Sequence, residues 1–99
     1  MDIDGNVEDG SRTVEARFIT KLKSSFKAPA ASIALPSNLT RMGLSAVVNN
    51  MLQSGNDDWK PEPFDLIIDG ELVRISLEDF LLAKGILAET TIKIEYIKL

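Results

Sequence analysis

Carboxylates are the side chains of this sequence best suited to chemistry, because its 99 residues include neither histidine nor cysteine. This composition excludes Ser–His and Cys–His catalysis, disulfides and cysteine-based zinc sites. No two acids stand out at a spacing suited to general acid–base work, and a domain of this size leaves little room for a deep pocket. We therefore predict that the chain is not an enzyme and has no cofactor of its own.

Glu89 is the acidic residue whose position asks for an explanation. It lies in the stretch GILAETTIKIEY, residues 85–96, outside any periodic pattern and just before an alternating strand. A lone glutamate at such a turn is most often an ordinary solvated residue, since exposed charged residues are the norm. Glu78 and Asp79, by contrast, have a structural explanation, because they lie in the first turn of a predicted short helix, where the helix dipole favours anions.

The charge balance argues against a nucleic-acid partner, and the hydropathy argues against a membrane. The net charge is −4 and the pI is about 4.7, whereas nucleic-acid binding needs a basic patch that neutralises phosphates. Residues 1–11 are acidic and polar, unlike a signal or transit peptide, and we expect them to form a disordered tail. No run is long enough to span a bilayer, so we expect a nuclear or cytosolic chain.

Two strands and an amphipathic helix are predicted in the first half of the chain. Apolar and polar residues alternate from Arg12 onward, and the inward set is Val14, Ala16 and Phe18. A second strand is predicted near residues 30–35. The period then becomes helical, with Ser45 as a plausible N-cap and Gly55 as the stop. The apolar face of this helix consists of Leu44, Val47, Val48, Met51 and Leu52.

A hairpin, a short helix and a last strand are predicted in the second half. The Asp-Gly dipeptide at 69–70 is typical of a two-residue hairpin turn. Ser76 is predicted to cap the helix LEDFLLAK (77–84), which ends at Gly85. The return strand of the hairpin contains Leu72, Val73 and Ile75, and the last strand contains Ile92, Ile94 and Tyr96. The resulting order, β-β-α-β-β-(short α)-β, predicts an α+β domain with the ubiquitin-like β-grasp fold.

Four runs carry a resemblance to a known family: RFITK, MGLSAVVNNML (42–52), PFDLIIDGELVRISLEDFLLAKGI (63–86) and ETTIKIEY (89–96). Residues 12–99 resemble the N-terminal ubiquitin-like domain, of the NLE or Notchless type, found in WD-repeat ribosome-biogenesis factors that work with Pescadillo and the block-of-proliferation protein. The pattern PFDxxIxGELxR favours this factor over Notchless itself, and the match suggests a plant member. The resemblance implies that the C-terminal WD-repeat propeller of the family is absent from this chain.

The resemblance implies a function and a role for Glu89. Such a domain docks on the metal-ion-dependent adhesion site (MIDAS) of midasin, a giant AAA+ ATPase. A glutamate before the last strand completes the coordination of a divalent metal held by midasin, Mg²⁺ or a similar ion, and the matching position is Glu89. ATP-driven movement then pulls the factor off precursors of the large ribosomal subunit. The implied location is the nucleus, in the nucleolus and nucleoplasm, and the isolated domain is expected to be a monomer.

Further contacts are predicted from proximity to Glu89 in sequence. Thr90 and Thr91 are candidates for hydrogen bonds across the interface, and Lys84 and Lys93 for pairing with acidic partner surface. An alternative function is that of a metal-independent ubiquitin-like docking domain for another assembly partner. Trp59, the single tryptophan, is either a lid over one edge of the core or an exposed anchor.

Overall fold

The computed structural model describes residues 12–29, 31–87 and 89–99, and these ranges contain five strands and two α-helices. The strands are β1 (Thr13–Ile19), β2 (Ile33–Pro36), β3 (Phe64–Ile68), β4 (Glu71–Leu72) and β5 (Ile92–Lys98). The helices are α1 (Arg41–Gly55) and α2 (Leu77–Lys84), and one 3-10 turn covers Ser24–Phe26. The acidic tail predicted for residues 1–11 lies outside the described residues. Neither described helix is long and apolar enough to cross a membrane.

The five strands form one mixed sheet in the order β2-β1-β5-β3-β4. β1 pairs with β2 in an antiparallel hairpin and with β5 in parallel, while β3 is antiparallel to both β5 and β4. The last strand therefore lies at the centre of the sheet, beside the first. This topology, with α1 packed on one face, is the ubiquitin-like β-grasp, so the predicted α+β class and element order are confirmed.

The core lies between α1 and the face of the sheet towards which alternate strand residues point. In β1 buried and exposed residues alternate strictly. In β3 the buried residues are Phe64, Leu66 and Ile68. The helix contributes the stripe Leu44, Val48 and Leu52, at the spacing that places residues on one helical face. The predicted stripe residues Val47 and Met51 are half-buried at its edge. Removing one such leucine side chain from water stabilises the fold by about 1.5–3 kcal/mol.

The predicted hairpin turn is confirmed. Asp69 and Gly70 both have positive φ, 54° and 82°, as expected for a two-residue turn whose twist matches that of the flanking strands. The return strand β4 is shorter than predicted and covers only two residues. Val73 continues the pairing with one more hydrogen bond, from its N–H to the carbonyl of Leu66 at 2.9 Å. Ile75, which was assigned to this strand, is exposed.

The predicted N-cap of α1 was wrong. The helix begins at Arg41 with Thr40 in the cap position, so Ser45 lies in its second turn. There the Ser45 hydroxyl accepts a hydrogen bond from the N–H of Phe64 at 3.0 Å, and thereby ties α1 to the start of β3. A serine beside an apolar stripe can serve this tertiary role as well as a capping role. The second strand also begins later than expected, at Ile33.

Trp59 is a lid over the core edge, which decides between the two alternatives. Its ring stacks on Phe64, with centroids 6.3 Å apart, and meets Phe26 edge to face at 5.4 Å. Its indole N–H donates to Asn49 Oδ1 at 3.0 Å. The same oxygen accepts from the N–H of Glu62 at 2.9 Å. Both the apolar ring and the polar N–H of the tryptophan therefore make contacts within the domain.

Candidate protein-binding site

The element that leads to Glu89, helix α2, is anchored at its first turn. The first N–H groups of a helix have no partners within the helix. Here the N–H of Leu77 donates to the carbonyl of Leu39 at 2.7 Å, and the N–H of Glu78 donates to that of Ser37, also at 2.7 Å. Both acceptors lie in the loop after β2. The start of α2 is therefore fixed to the body of the domain.

The cap predicted for α2 is confirmed and strengthens this anchor. Ser76 Oγ accepts a hydrogen bond from the N–H of Asp79 at 3.2 Å. The acidic first turn, Glu78 and Asp79, matches the positive end of the helix dipole. Glu78 also accepts from the buried hydroxyl of Ser37 at 3.3 Å. The structural interpretation of these two acids is thus supported.

The end of α2 turns the chain sharply towards Glu89. Gly85 has a left-handed backbone, with φ 69°, and its N–H donates to the carbonyl of Leu82 at 3.2 Å. The N–H of Ile86 donates to the carbonyl of Leu81 at 2.9 Å. This pair of bonds is a Schellman motif, in which glycine accepts the left-handed conformation without strain. Ile86 packs against the core and fixes the direction in which the chain continues.

The next turn holds Glu89 and is closed by Thr90. The Thr90 N–H and hydroxyl both donate to the carbonyl of Leu87, at 3.3 Å and 2.9 Å. Ile92, two residues later, is already buried in the central strand β5. Glu89 is therefore carried on a short turn that is hydrogen-bonded internally and tethered by core residues at both ends.

The Glu89 carboxylate is exposed and forms no ion pair with another described residue. In the ranges 12–29, 31–87 and 89–99, no group of three or more acids could hold a metal ion. A single carboxylate can supply one ligand of a six-coordinate Mg²⁺, which prefers oxygen. The donor set therefore fits a metal only if another molecule supplies the remaining ligands.

Glu89 borders an apolar groove between the end of α2 and the start of β1. The groove has a volume of about 640 Å³. Leu82 and Leu87 line it and are 72% and 66% exposed, unusually high values for leucine. Arg12 and Glu78 line the same groove, so a mixed polar rim surrounds the apolar centre. We call Leu82, Leu87 and Glu89 together the groove triplet.

Three of the four predicted contact residues share a neighbouring depression instead. Thr90, Thr91 and Lys93 line it, and Ile86 lines both this depression and the groove. Lys93 pairs in register with Arg17 of β1 on the exposed face of the sheet, so this face carries two adjacent positive charges. Asp69 and Glu95 line the same depression as Lys93, so its charge is mixed, and the predicted contact of Lys93 with an acidic partner surface stays a prediction.

Lys84 is already paired within the domain. Its ammonium group is hydrogen-bonded to Glu71 Oε2, which joins the end of α2 to the hairpin strand β4. This hydrogen bond to Glu71 raises the pKa of Lys84 above its ordinary value, and the nearby charges of Glu71 and Asp69 add to the effect. A partner that recruits Lys84 must compete with this ion pair, so its predicted contact is the least favoured of the four.

Leu82 and Leu87 were not predicted as site residues, although the sequence carries a signal for one of them. The buried face of α2 is Leu77, Phe80 and Leu81, at helical spacing. Leu82 lies off this stripe, and an apolar residue there has no place in the core. Leu87 carries no such signal, since its exposure depends on the Schellman motif that buries Ile86.

Comparison with known proteins identifies the family of this chain. Residues 14–81 match the family model of the NLE (NUC135) domain, which is more than half of the chain. The chain belongs to the NLE domain family. The resemblance inferred from its sequence runs is thereby confirmed. The match ends before Glu89, so family membership alone does not test the role of that residue.

Several proteins similar to this chain are named ribosome biogenesis proteins. The "Ribosome biogenesis protein WDR12 homolog" of Arabidopsis thaliana is 61% identical over 99% of this chain and 22% of its own length. The protein of that name in Oryza sativa subsp. japonica is 51% identical over 95% of the chain and 22% of its own length. "Ribosome biogenesis protein YTM1" of Scheffersomyces stipitis is 39% identical over 91% of the chain and 20% of its own length. The chain thus spans about a fifth of these relatives, and none of the three names denotes an enzyme.

Proposed function

We propose that this NLE domain is a non-enzymatic binding module of a ribosome-biogenesis factor and that it docks on the MIDAS domain of the AAA+ ATPase midasin. In this proposal Glu89 supplies the last ligand of a divalent metal that midasin holds. The observation that carries the proposal is the exposed carboxylate of Glu89, on an internally bonded turn, in a chain of this family. The names of the relatives support the ribosome-biogenesis context.

The chemistry of such a metal site explains why a carboxylate is required. Mg²⁺ takes oxygen ligands at about 2.0–2.1 Å in nearly ideal octahedral geometry, so the incoming oxygen must be placed accurately. A turn tethered at Ile86 and Ile92 limits the positions that Glu89 can take. The negative charge of the carboxylate also offsets the charge of the metal, which a neutral amide cannot do.

The larger protein would use this contact to transmit force. In the proposal, the remainder of the factor anchors it in a complex with Pescadillo and the block-of-proliferation protein, in the nucleolus and nucleoplasm. ATP-driven movement of midasin, acting through the metal and Glu89, then releases the factor from precursors of the large ribosomal subunit. The domain itself carries out no reaction.

Metal removal tests the proposal directly. Calorimetric titration of the 99-residue chain into a purified MIDAS domain is expected to give binding in Mg²⁺ and a loss of about a hundredfold or more in EDTA, because the bridging bond disappears. Titration in Ca²⁺ serves as a control for ion identity. Binding of equal strength in Mg²⁺ and EDTA would contradict the proposal and favour the metal-independent docking domain.

Thr90 is expected to act as a positioning residue for Glu89. Thr90→Val keeps the shape of the side chain but removes the hydrogen bond to the Leu87 carbonyl. A net contribution of about 0.5–1.5 kcal/mol for this bond corresponds to a loss of about twofold to tenfold in Mg²⁺-dependent affinity. Thr90→Ser should restore binding. The melting temperature of Thr90→Val should fall by about 4–8 °C for each kcal/mol that the bond contributes, so all three proteins are compared well below their melting temperatures. If Thr90→Ser binds as weakly as Thr90→Val, the methyl group touches the partner and the positioning role is wrong.

A further inference from the structure

The groove triplet contains two leucines whose exposure the fold does not explain. Leu77, Phe80 and Leu81 already fill the inner face of α2. Leu82 projects from the other side of the helix, and Leu87 is directed outward because Ile86, its neighbour, turns inward. Large apolar side chains clustered at one exposed site are typical of a protein-interaction surface.

Both leucines line the same groove as Glu89, so the three side chains form one contact surface. We propose that Leu82 and Leu87 are an apolar anchor that seats against an apolar rim beside the metal of the partner. This inference rests on the proposed function, because the occupant is the MIDAS domain that receives Glu89. The inference adds two things to the proposed function: the residues that determine affinity, and the apolar chemistry of the partner surface that they contact.

The size of a stable interface supports the anchor. A specific complex buries about 800 Å² on each partner, which one carboxylate cannot approach. Of the surface around Glu89, the leucines supply the apolar part, while Arg12 and Glu78 form the polar rim that typical interfaces have. Arg12 and Glu78 have opposite charges, so the rim does not select for a strongly charged partner. An apolar partner surface is therefore the better fit.

The anchor would also strengthen the metal bond. A carboxylate and a cation attract each other far more strongly where water is excluded than in bulk solvent. Apolar contacts around a polar centre exclude water without forming specific bonds themselves. Leu82 and Leu87 line the same groove as Glu89 and are placed to do this once a partner covers the groove.

Glutamine substitutions test the anchor with a matched control. Leu82→Gln and Leu87→Gln replace an apolar side chain with a polar, uncharged one of comparable volume, and glutamine also suits the helix at position 82. Met42→Gln is the control, because Met42 is also helical and 75% exposed but does not line this groove. Calorimetry in Mg²⁺ is expected to give a loss of about tenfold for each leucine variant, a loss of about a hundredfold for the double variant, and less than twofold for Met42→Gln. The heat-capacity change of binding should become less negative in each leucine variant, and most of all in the double variant.

Each outcome separates the anchor from the metal contact. If the leucine variants bind like Met42→Gln while EDTA still abolishes binding, the anchor is overturned and the proposed function stands. If the leucine variants lose affinity while EDTA has no effect, the anchor stands and the metal-ligand role of Glu89 is overturned. Wild-type chain that does not bind the MIDAS domain in Mg²⁺ overturns both. The melting temperatures of the variants should match that of wild type, because these side chains are outside the core.

Discussion

Glu89→Ala is expected to reduce the Mg²⁺-dependent affinity for a MIDAS domain by a hundredfold or more, about 2.8 kcal/mol. The reason is that, in the proposed function, the variant removes the ligand that Glu89 lends to the metal of the partner, and the open position of that metal then returns to water. The folding stability should not change, because Glu89 is exposed and forms no ion pair with the described residues. Calorimetry together with thermal unfolding separates these two effects.

The conservative variants of Glu89 decide which property of the side chain matters. Glu89→Gln keeps length but loses charge, and Glu89→Asp keeps charge but withdraws the carboxylate by one methylene. Glu89→Gln is expected to bind weakly because a neutral amide does not offset the charge of the metal. Glu89→Asp is expected to bind weakly because the turn is tethered and cannot advance to make up the lost length. Glu15→Ala is a control, since Glu15 is an exposed acid of β1. Normal binding by Glu89→Asp would contradict the argument from geometry.

The parts of the fold that were predicted correctly depend on local chemistry. The hairpin required two residues with positive φ, and Asp69-Gly70 is one of the few dipeptides that provides them. The end of α2 required a left-handed residue, and Gly85 provides it. The strict alternation of apolar and polar residues in β1 indicated which face is buried, although the neighbouring strands were not known. Such signals can be read because each arises from a few adjacent residues.

The errors and omissions depend on contacts between distant residues. Ser45 was taken for a helix cap, yet its hydroxyl serves Phe64, nineteen residues away. The role of Trp59 depended on Phe26 and Asn49, which only the folded chain brings near it. The position of Glu89 relative to the strands followed from its turn, whereas the groove required α2 and β1 to meet. The place of Glu89 in the fold could thus be predicted from sequence, whereas the groove beside it could not, and the role of Glu89 stays a prediction.

Tyr96 joins distant parts of the chain, and its hydroxyl is expected to contribute strongly to stability. It is completely buried in the central strand β5. The hydroxyl donates to the carbonyl of Phe26 and accepts from the N–H of Ala28 at 2.7 Å. In addition, the Tyr96 carbonyl accepts from the hydroxyl of Thr20 at 2.8 Å. The last strand therefore holds the segment between β1 and β2 in place.

Tyr96→Phe is expected to lower the free energy of unfolding by about 2 kcal/mol. The ring still fills the core, but two backbone groups lose their partner, and a buried polar group left unpaired costs about 1–3 kcal/mol. Urea unfolding followed by the fluorescence of Trp59 measures this directly, because Trp59 is the single tryptophan and is stacked on Phe64. Thr20→Val is a useful comparison, since it removes the bonds of this hydroxyl to the Tyr96 carbonyl and the Leu22 N–H and leaves the phenol intact. A Tyr96→Phe variant as stable as wild type would mean that water satisfies both backbone groups.

The stabilising effect of Tyr96 should also depend on pH. Burial raises the pKa of Tyr96 above its ordinary value of 10.0, and the hydrogen bond from Ala28 opposes this only in part. The folded state then retains a proton that the unfolded state releases, so the contribution is complete below pH 10.0 and is lost as the pH rises through the folded pKa. Lys84 also has a raised pKa, but it is present in both proteins and cancels in their difference. The difference in free energy of unfolding between wild type and Tyr96→Phe should therefore narrow above pH 10.0. Tyrosinate absorbance, which reports only Tyr96, should appear at a higher pH in the folded chain than in the unfolded chain. A gap that widens with alkali would show that the phenolate is stabilised by the fold, and that the Ala28 N–H outweighs burial.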